Sequence, residues 1–291
     1  MYITETRNPR SNDLDIIPTD KAIELFIRGE IHGLKSILKE KKSIEDAIAS
    51  AVKALIKGGR VFYIGAGTSG RIGVIDAAEV RPTFGTPKNK FQAVIAGGKK
   101  AVFSSVERAE DNIKSAADAV RTRKIGTKDM VIGITASGRT PFVLSALKEA
   151  KRQRAETWLV TFNKIQKPPF VDWLIKVITG PELLTGSTRL KAGTATKVIL
   201  NMISTFTMVR LGKVYQNLMV DVKPANKKLR ERAKNIIKEI TGASEREAEK
   251  FLKASKGNAK LAILMKVKKL NRNEAMKLLK KHEGMLRTAL K

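Results

Sequence analysis

The chain has 291 residues, with 57 Lys and Arg against 28 Asp and Glu, a formal net charge of +29 and a pI near 10.3. It has no cysteine and only two histidines, His32 and His282. That composition excludes disulfide scaffolds, Cys-ligated zinc, iron–sulfur clusters and thiol nucleophiles, and leaves little for a His-built metal site.

No apolar run approaches the length of a membrane-spanning helix, and the opening residues show no basic-then-apolar leader pattern, so a cytoplasmic protein without a membrane partner is expected. With 42% hydrophobic residues the chain can bury a sizeable core, and its length fits about two domains.

Residues 1–18 read as an extended arm, containing Asn8-Pro9 and Pro18 with no apolar period. Thr19-Asp20 then looks like the cap of a helix through about Lys39, with Ile23, Phe26, Ile27, Ile31, Leu34 and Leu38 at helical spacing. A second helix opens at Ser43 and stops at Gly58-Gly59. From Arg60 the period changes. Strands are expected at Arg60–Ile64, Gln92–Ala96, Asp129–Thr135, Thr157–Thr161 and Trp173–Ile178. Helices are expected from about Arg71 to Ala78, over Glu107–Val120, after Pro141, and from Thr194 to Leu211. This alternation predicts an α/β fold with a parallel, doubly wound sheet over residues 19–223. Beyond Pro224, a plausible boundary, only helical patterns remain, and residues 224–291 read as a small helical bundle. Ser244-Glu-Arg-Glu247 is a capping box.

Gly65-x-Gly67-x-x-Gly70 lies between a strand and a helix, the setting of a dinucleotide fingerprint, but the next strand ends Ile95-Ala-Gly-Gly98 without the acid that would hold a ribose. The loop does carry two hydroxyls, Thr68 and Ser69, at a helix N-terminus, where free N–H groups and the helix dipole favour an anion. A second such loop follows a later strand as Ala136-Ser137-Gly138-Arg139-Thr140, with Pro141 suited to a first helical turn. Two hydroxyl-Gly-Arg loops at strand C-termini point to a phosphorylated small molecule. A third polar, Gly-rich stretch, Gly180 to Thr194, supplies Glu182, Thr185, Ser187, Thr188, Arg189 and Lys191; it reads equally as a surface connection or as a functional loop.

Without Cys or a well-placed His, carboxylates are the main candidates for proton transfer, and Glu79 and the pair Glu110-Asp111 lie near the loops in sequence. The charge itself points first to nucleic acid, and residues 223–291 hold 21 basic and 7 acidic residues. Aromatics are only 5% and little interleaves them with the basic runs, so a solvated Lys-rich surface is favoured over a nucleic-acid partner.

The segments Gly65–Gly73, Ala136–Pro141, Thr185–Thr194 and Gly212–Val222, with Thr4-Glu5 and Arg7–Ser11, resemble the N-acetylmuramic acid 6-phosphate etherase family along nearly the whole chain. The resemblance implies a sugar-isomerase-type α/β sandwich acting as a homodimer without metal or cofactor. It implies cleavage of the D-lactyl ether of a phosphorylated amino sugar by elimination and hydration, in peptidoglycan recycling. Glu79 would be the proton-donating acid, and one of Glu110 and Asp111 the second catalytic acid. Ser69, Ser137 and Thr140 would hold phosphate, and Ser187, Arg189 and Lys191 would line the site, from the same chain or from a partner subunit. Two departures are added cations: Arg81 in Glu79-Val-Arg-Pro-Thr83, where the family reads Glu-Cys-Pro-Pro-Thr, and Arg108 in Glu107-Arg-Ala-Glu-Asp111, where it reads Gly. A non-catalytic sugar-phosphate sensor or an isomerase on the same scaffold is the alternative.

Overall fold

The computed structural model describes residues 2–221 and 227–291, so the boundary expected at Pro224 lies outside the described residues, as does Val222. Contacts divide the chain into two compact units, one of residues 1–78 and 89–204 and the other of residues 79–88 and 205–291.

The first unit contains a five-stranded sheet. Its strands are β1 (Val61–Gly65), β2 (Phe91–Ile95), β3 (Met130–Ile134), β4 (Glu156–Thr161) and β5 (Trp173–Lys176), in the order β2-β1-β3-β4-β5 and all parallel. The order reverses beside β1, which is the doubly wound arrangement the alternation predicted. β1 and β3 are buried along their whole length, as expected for central strands covered by helices on both faces.

Around the sheet run α1 (Thr19–Ser36), α2 (Lys41–Ile56), α3 (Gly67–Phe84), α4 (Lys100–Phe103), α5 (Ile113–Thr122), α6 (Pro141–Arg152) and α7 (Lys191–Arg210), with α3 and α7 continuing into the second unit. One core cluster joins Phe62, Ile64 and Val131 of the sheet to Val143, Ala146 and Leu147 of α6 and to Ala116 and Val120 of α5. Helix α2 ends as its glycines predicted: Gly58 takes φ +82°, and the Gly59 N–H returns to Ala54 O at 2.9 Å.

Three expectations are corrected, and α1 shows one further feature. The arm is not extended, because Ile3–Glu5 and Pro9–Ser11 form 3₁₀ turns. Helix α1 is present as expected, and Ile23, Ile27 and Ile31, spaced four apart, are 59%, 51% and 46% exposed, so this apolar stripe faces outward in the single chain. The helix expected from Glu107 begins only at Ile113. Arg108 has φ +57°, Ala109–Asp111 form a 3₁₀ turn, and Asn112 caps α5 by accepting the Ser115 N–H. Helix α3 does not stop at Ala78 but runs on to Phe84.

The second unit carries a short hairpin, β6 (Val214–Tyr215) with β7 (Leu218–Met219). Then come α8 (Lys227–Thr241), α9 (Glu245–Ala254), α10 (Ala259–Val267), α11 (Arg272–Lys281) and α12 (Leu286–Leu290). α10 is its centre: every residue from Ala259 to Met265 is buried, packed with Ile236, Ile237, Leu252 and Leu286. The buried Lys260 pairs with Asp221 at 3.1 Å. The capping box at Ser244 and Glu247 is formed, and Asn271 with Glu274 makes a second.

Candidate active site

β1 and β3 are neighbours in register, with Gly65 opposite Ile134, so the chain leaves both strands at one level of the sheet's C-terminal edge. After β1 the turn is shorter than expected. α3 starts at Gly67, and Thr68 and Ser69, both half-buried, stand in its first turn. Glycine makes this closeness feasible: a Cβ on Gly70 would lie 2.6 Å from Ile95 Cγ1 and 2.7 Å from Gly65 O. The first-turn N–H groups of a helix lack intrahelical acceptors, so backbone donors and neutral hydroxyl donors meet at one place.

After β3, three hydroxyls gather. Thr135 Oγ1 lies 2.7 Å from Thr140 Oγ1 and 3.3 Å from Ser137 Oγ. Ser137 Oγ also accepts the Arg139 N–H at 3.2 Å. Gly138, at φ +78°, packs so that a Cβ would meet Ile165 Cδ1 at 2.7 Å. Asn163, just past β4, holds the loop from behind by donating Nδ2 to Ala136 O at 2.9 Å and to Thr4 Oγ1 at 2.8 Å. The exposed Arg139 guanidinium stacks on the Tyr2 ring at 4.1 Å, which turns it toward the arm. Sequence reasoning missed Thr135 and Asn163. Thr135 could have been found as a hydroxyl at the same strand end; Asn163 carried no local signal.

The third stretch behaves differently from its expectation. Helix α7 starts at Lys191, three residues early, and the fully buried Glu182 carboxylate accepts the N–H groups of Lys191 at 2.9 Å and Ala192 at 3.0 Å. Glu182 therefore caps α7, and both its oxygens are taken by the chain. Burial pushes this carboxyl up from the usual range, against the Ala192 and Lys191 hydrogen bonds that favour its ionised form. Lys191 is buried as well, and its ammonium donates to Pro181 O. Ser187 is half-buried and Arg189 exposed. The first turn of α7 meets the first loop, since a Cβ on Gly193 would touch Thr68 Cγ2 at 3.5 Å.

The candidate catalytic acids Glu79, Glu110 and Asp111 are all exposed. Glu79 lies within α3, ten residues beyond Ser69, which is about 15 Å of helix rise. Arg81, the departure beside it, is two residues on in the same helix and so points to a different face. Glu110 and Asp111 sit together in the 3₁₀ turn before α5. A fourth acid, Asp76, is buried on α3. It accepts from Tyr63 OH at 2.9 Å, Asn201 Nδ2 at 2.6 Å and Ser204 Oγ at 3.0 Å, tying α3 to β1 and α7. Burial raises its carboxyl, opposed by those three donors. Among the described residues no cluster of His, Asp and Glu could hold a metal ion.

Comparison with known proteins gives a consistent result. Residues 43–151 match the family described as the glucokinase regulatory protein N-terminal SIS domain. A Picosynechococcus protein named N-acetylmuramic acid 6-phosphate etherase is 45% identical over 290 residues, covering 99% of this chain and 96% of its own. A Francisella tularensis subsp. holarctica protein of the same name is 46% identical, covering 98% of this chain and 97% of its own. Among solved structures, a proposed phosphosugar isomerase of Bacteroides fragilis involved in capsule formation has a TM-score of 0.52 at 17% identity, covering 69% of this chain and 95% of its own. That likeness speaks to the fold alone.

Proposed function

The chain belongs to the N-acetylmuramic acid 6-phosphate etherase family and is a carbon–oxygen lyase, and from that premise we propose which of its residues carry the reaction. It cleaves the D-lactyl ether of N-acetylmuramic acid 6-phosphate, giving N-acetylglucosamine 6-phosphate and D-lactate.

The observation that carries the site assignment is the pair of hydroxyl loops emerging at one level from adjacent parallel strands. The phosphate is held by Ser69 and Thr68, by the first-turn N–H groups from Gly67 onward, and by Ser137 and Thr140. Thr135 orients Ser137 and Thr140 from behind, and Asn163 braces the backbone under them. Ser187 and Arg189 supply further polar contacts.

The substrate in its open-chain form carries an aldehyde that acidifies C2. One carboxylate of the Glu110–Asp111 pair removes the C2 proton. The C3–O bond breaks as the C2=C3 bond forms, and Glu79 delivers a proton to the departing lactate oxygen. Water then adds at C3 and a proton returns to C2. Each proton taken is given back, so two carboxyl groups suffice.

The protein works as a homodimer in the cytoplasm, within peptidoglycan recycling. The outward stripe of Ile23, Ile27 and Ile31 supports the dimer. Phe103, Val106 and Ile113, which precede and follow Glu110 and Asp111 along the chain, are 92%, 39% and 58% exposed, and a second subunit covering this segment would shield the acids from water.

The test is release of D-lactate from N-acetylmuramic acid 6-phosphate, with one deuterium entering C2 of the sugar product in heavy water. Glu79→Gln must lower lactate release by at least about a hundredfold, the lower range for removing a general acid. Undiminished release from that variant overturns the assignment of Glu79.

A further inference from the structure

The arm is tied to two separate stretches of the candidate site, and Thr4 is the residue that joins them. Thr4 is fully buried, and each of its polar groups is bonded to a segment far away in sequence. Its N–H donates to Asn163 Oδ1 at 3.3 Å, its Oγ1 accepts from Asn163 Nδ2 at 2.8 Å, and its carbonyl accepts the Gly186 N–H at 3.2 Å. Asn163, also fully buried, carries the link onward, since its Nδ2 donates to Ala136 O at 2.9 Å as well. The same oxygen takes the Phe162 N–H at 3.1 Å and the Thr161 hydroxyl at 3.2 Å.

The result is one chain of bonds, Ala136–Asn163–Thr4–Gly186. Ala136 directly precedes Ser137, and Gly186 directly precedes Ser187. Thr4 thus stands between the backbones that carry two hydroxyls assigned to the substrate. Its neighbours in the arm strengthen both ends. The Tyr2 ring lies 4.1 Å from the Arg139 guanidinium. Glu5 packs on Gly186, where a Cβ would meet Glu5 Oε2 at 3.1 Å, and Ser11 Oγ donates to Leu183 O at 2.7 Å. Buried polar groups must stay paired. Displacing either stretch would strand a donor or acceptor on Thr4 or Asn163, so the two stretches hold their spacing together.

We propose that Thr4 is a positioning residue that couples the loop after β3 to the chain before α7, so that Ser137 and Ser187 act on the substrate as one unit. Thr4 acts only through the two backbones. The inference rests on the assignment of Ser137 and Ser187 to the substrate site.

The experiment titrates N-acetylglucosamine 6-phosphate into the full chain by calorimetry, with Ser137→Ala, Ser187→Ala and both together, each with and without Thr4→Val. Thr4→Val alone should weaken binding by about tenfold, the effect of losing one buried hydrogen bond. Thr4→Ser keeps the hydroxyl and should bind within about twofold of the native chain. A role in packing alone predicts the reverse, since valine keeps the shape and serine does not. With Thr4 present, the double serine variant should lose less than the product of the two single losses, by at least about threefold. With Thr4→Val the losses should multiply. Circular dichroism verifies the fold, and Thr4→Ala, which also lacks the hydroxyl, replaces the valine variant if that one is unfolded. Native-like binding by Thr4→Val, or serine losses that combine alike in both backgrounds, overturns the coupling. If neither serine variant weakens binding, the site assignment itself falls, and the coupling with it.

Discussion

The Glu182 carboxylate receives the Lys191 backbone N–H at 2.9 Å, nine residues along the chain, and closes the N-terminus of α7 from inside the core. Its other oxygen takes the next N–H, of Ala192. A residue that looked like a ligand group in a polar loop thus sets where α7 begins, and with it the position of Gly193 against Thr68. Glu182→Ala should cost about 2–6 kcal/mol, since it strands two buried donors worth about 1–3 kcal/mol each. Glu182→Gln keeps one accepting oxygen and should lose less. Urea unfolding of both variants measures this, and equal losses would show that capping is not the source.

Thr135 should behave as a positioning residue. Thr135→Val keeps the branched shape and removes the hydroxyl that bonds Thr140 and Ser137. The expected result is a KM for the phosphorylated substrate raised by about tenfold, near 1.4 kcal/mol, with kcat within a few-fold. Thr135→Ser should recover most of it. Steady-state kinetics decide, and a fall confined to kcat would contradict the assignment.

Arg108 occupies φ +57°, the left-handed region in which a side chain is strained. Arg108→Gly should stabilise the protein by about 0.5–1 kcal/mol, the strain relieved less the entropy glycine adds to the unfolded chain. The shift in the urea midpoint checks it.

Acid should loosen the helical tail. Glu245 is held down at about 2 by hydrogen bonds from Lys234 and Lys238, and Glu247 at about 2 by Lys266 and the Ser244 N–H. Because both folded values lie below the unfolded one near 4.5, their contribution is fully present above 4.5 and is lost as pH falls toward 2. Thermal melts by circular dichroism should therefore shift downward across that window. Glu245→Gln with Glu247→Gln should flatten the dependence there.

Ile27 stands at the middle of the exposed stripe on α1. If that stripe is the dimer surface, Ile27→Glu yields monomers in sedimentation while the circular dichroism spectrum stays the same. An unchanged sedimentation coefficient would place the interface elsewhere.

Much of the fold was legible because it rests on local rules. Strand–helix alternation, Gly58-Gly59 as a helix stop, Pro141 at a first turn and the Ser244–Glu247 box each concern residues within a turn or two of one another, and each appears where it was read. The misreadings share one cause. Local pattern does not reveal what lies opposite a residue. The chain turns at Arg108 where its neighbours' composition favoured a helix, and the apolar spacing of α1 showed a helix without showing which face packs.

What the sequence determined by itself was the scaffold and the class of ligand. Glycines that let α3 approach β1, and hydroxyls beside helix N-termini, are requirements of backbone geometry and leave their mark in order along the chain. What the tertiary structure alone decided was how each polar group is spent. Thr4 meets Asn163 across 159 positions and Glu182 turns inward to cap a helix. Thr179 and Lys191 come together against Gly33 of α1, where a Cβ would meet them at 3.6 and 3.5 Å. Such pairings are set by which elements pack together, because a buried polar group must find its partner wherever packing places one.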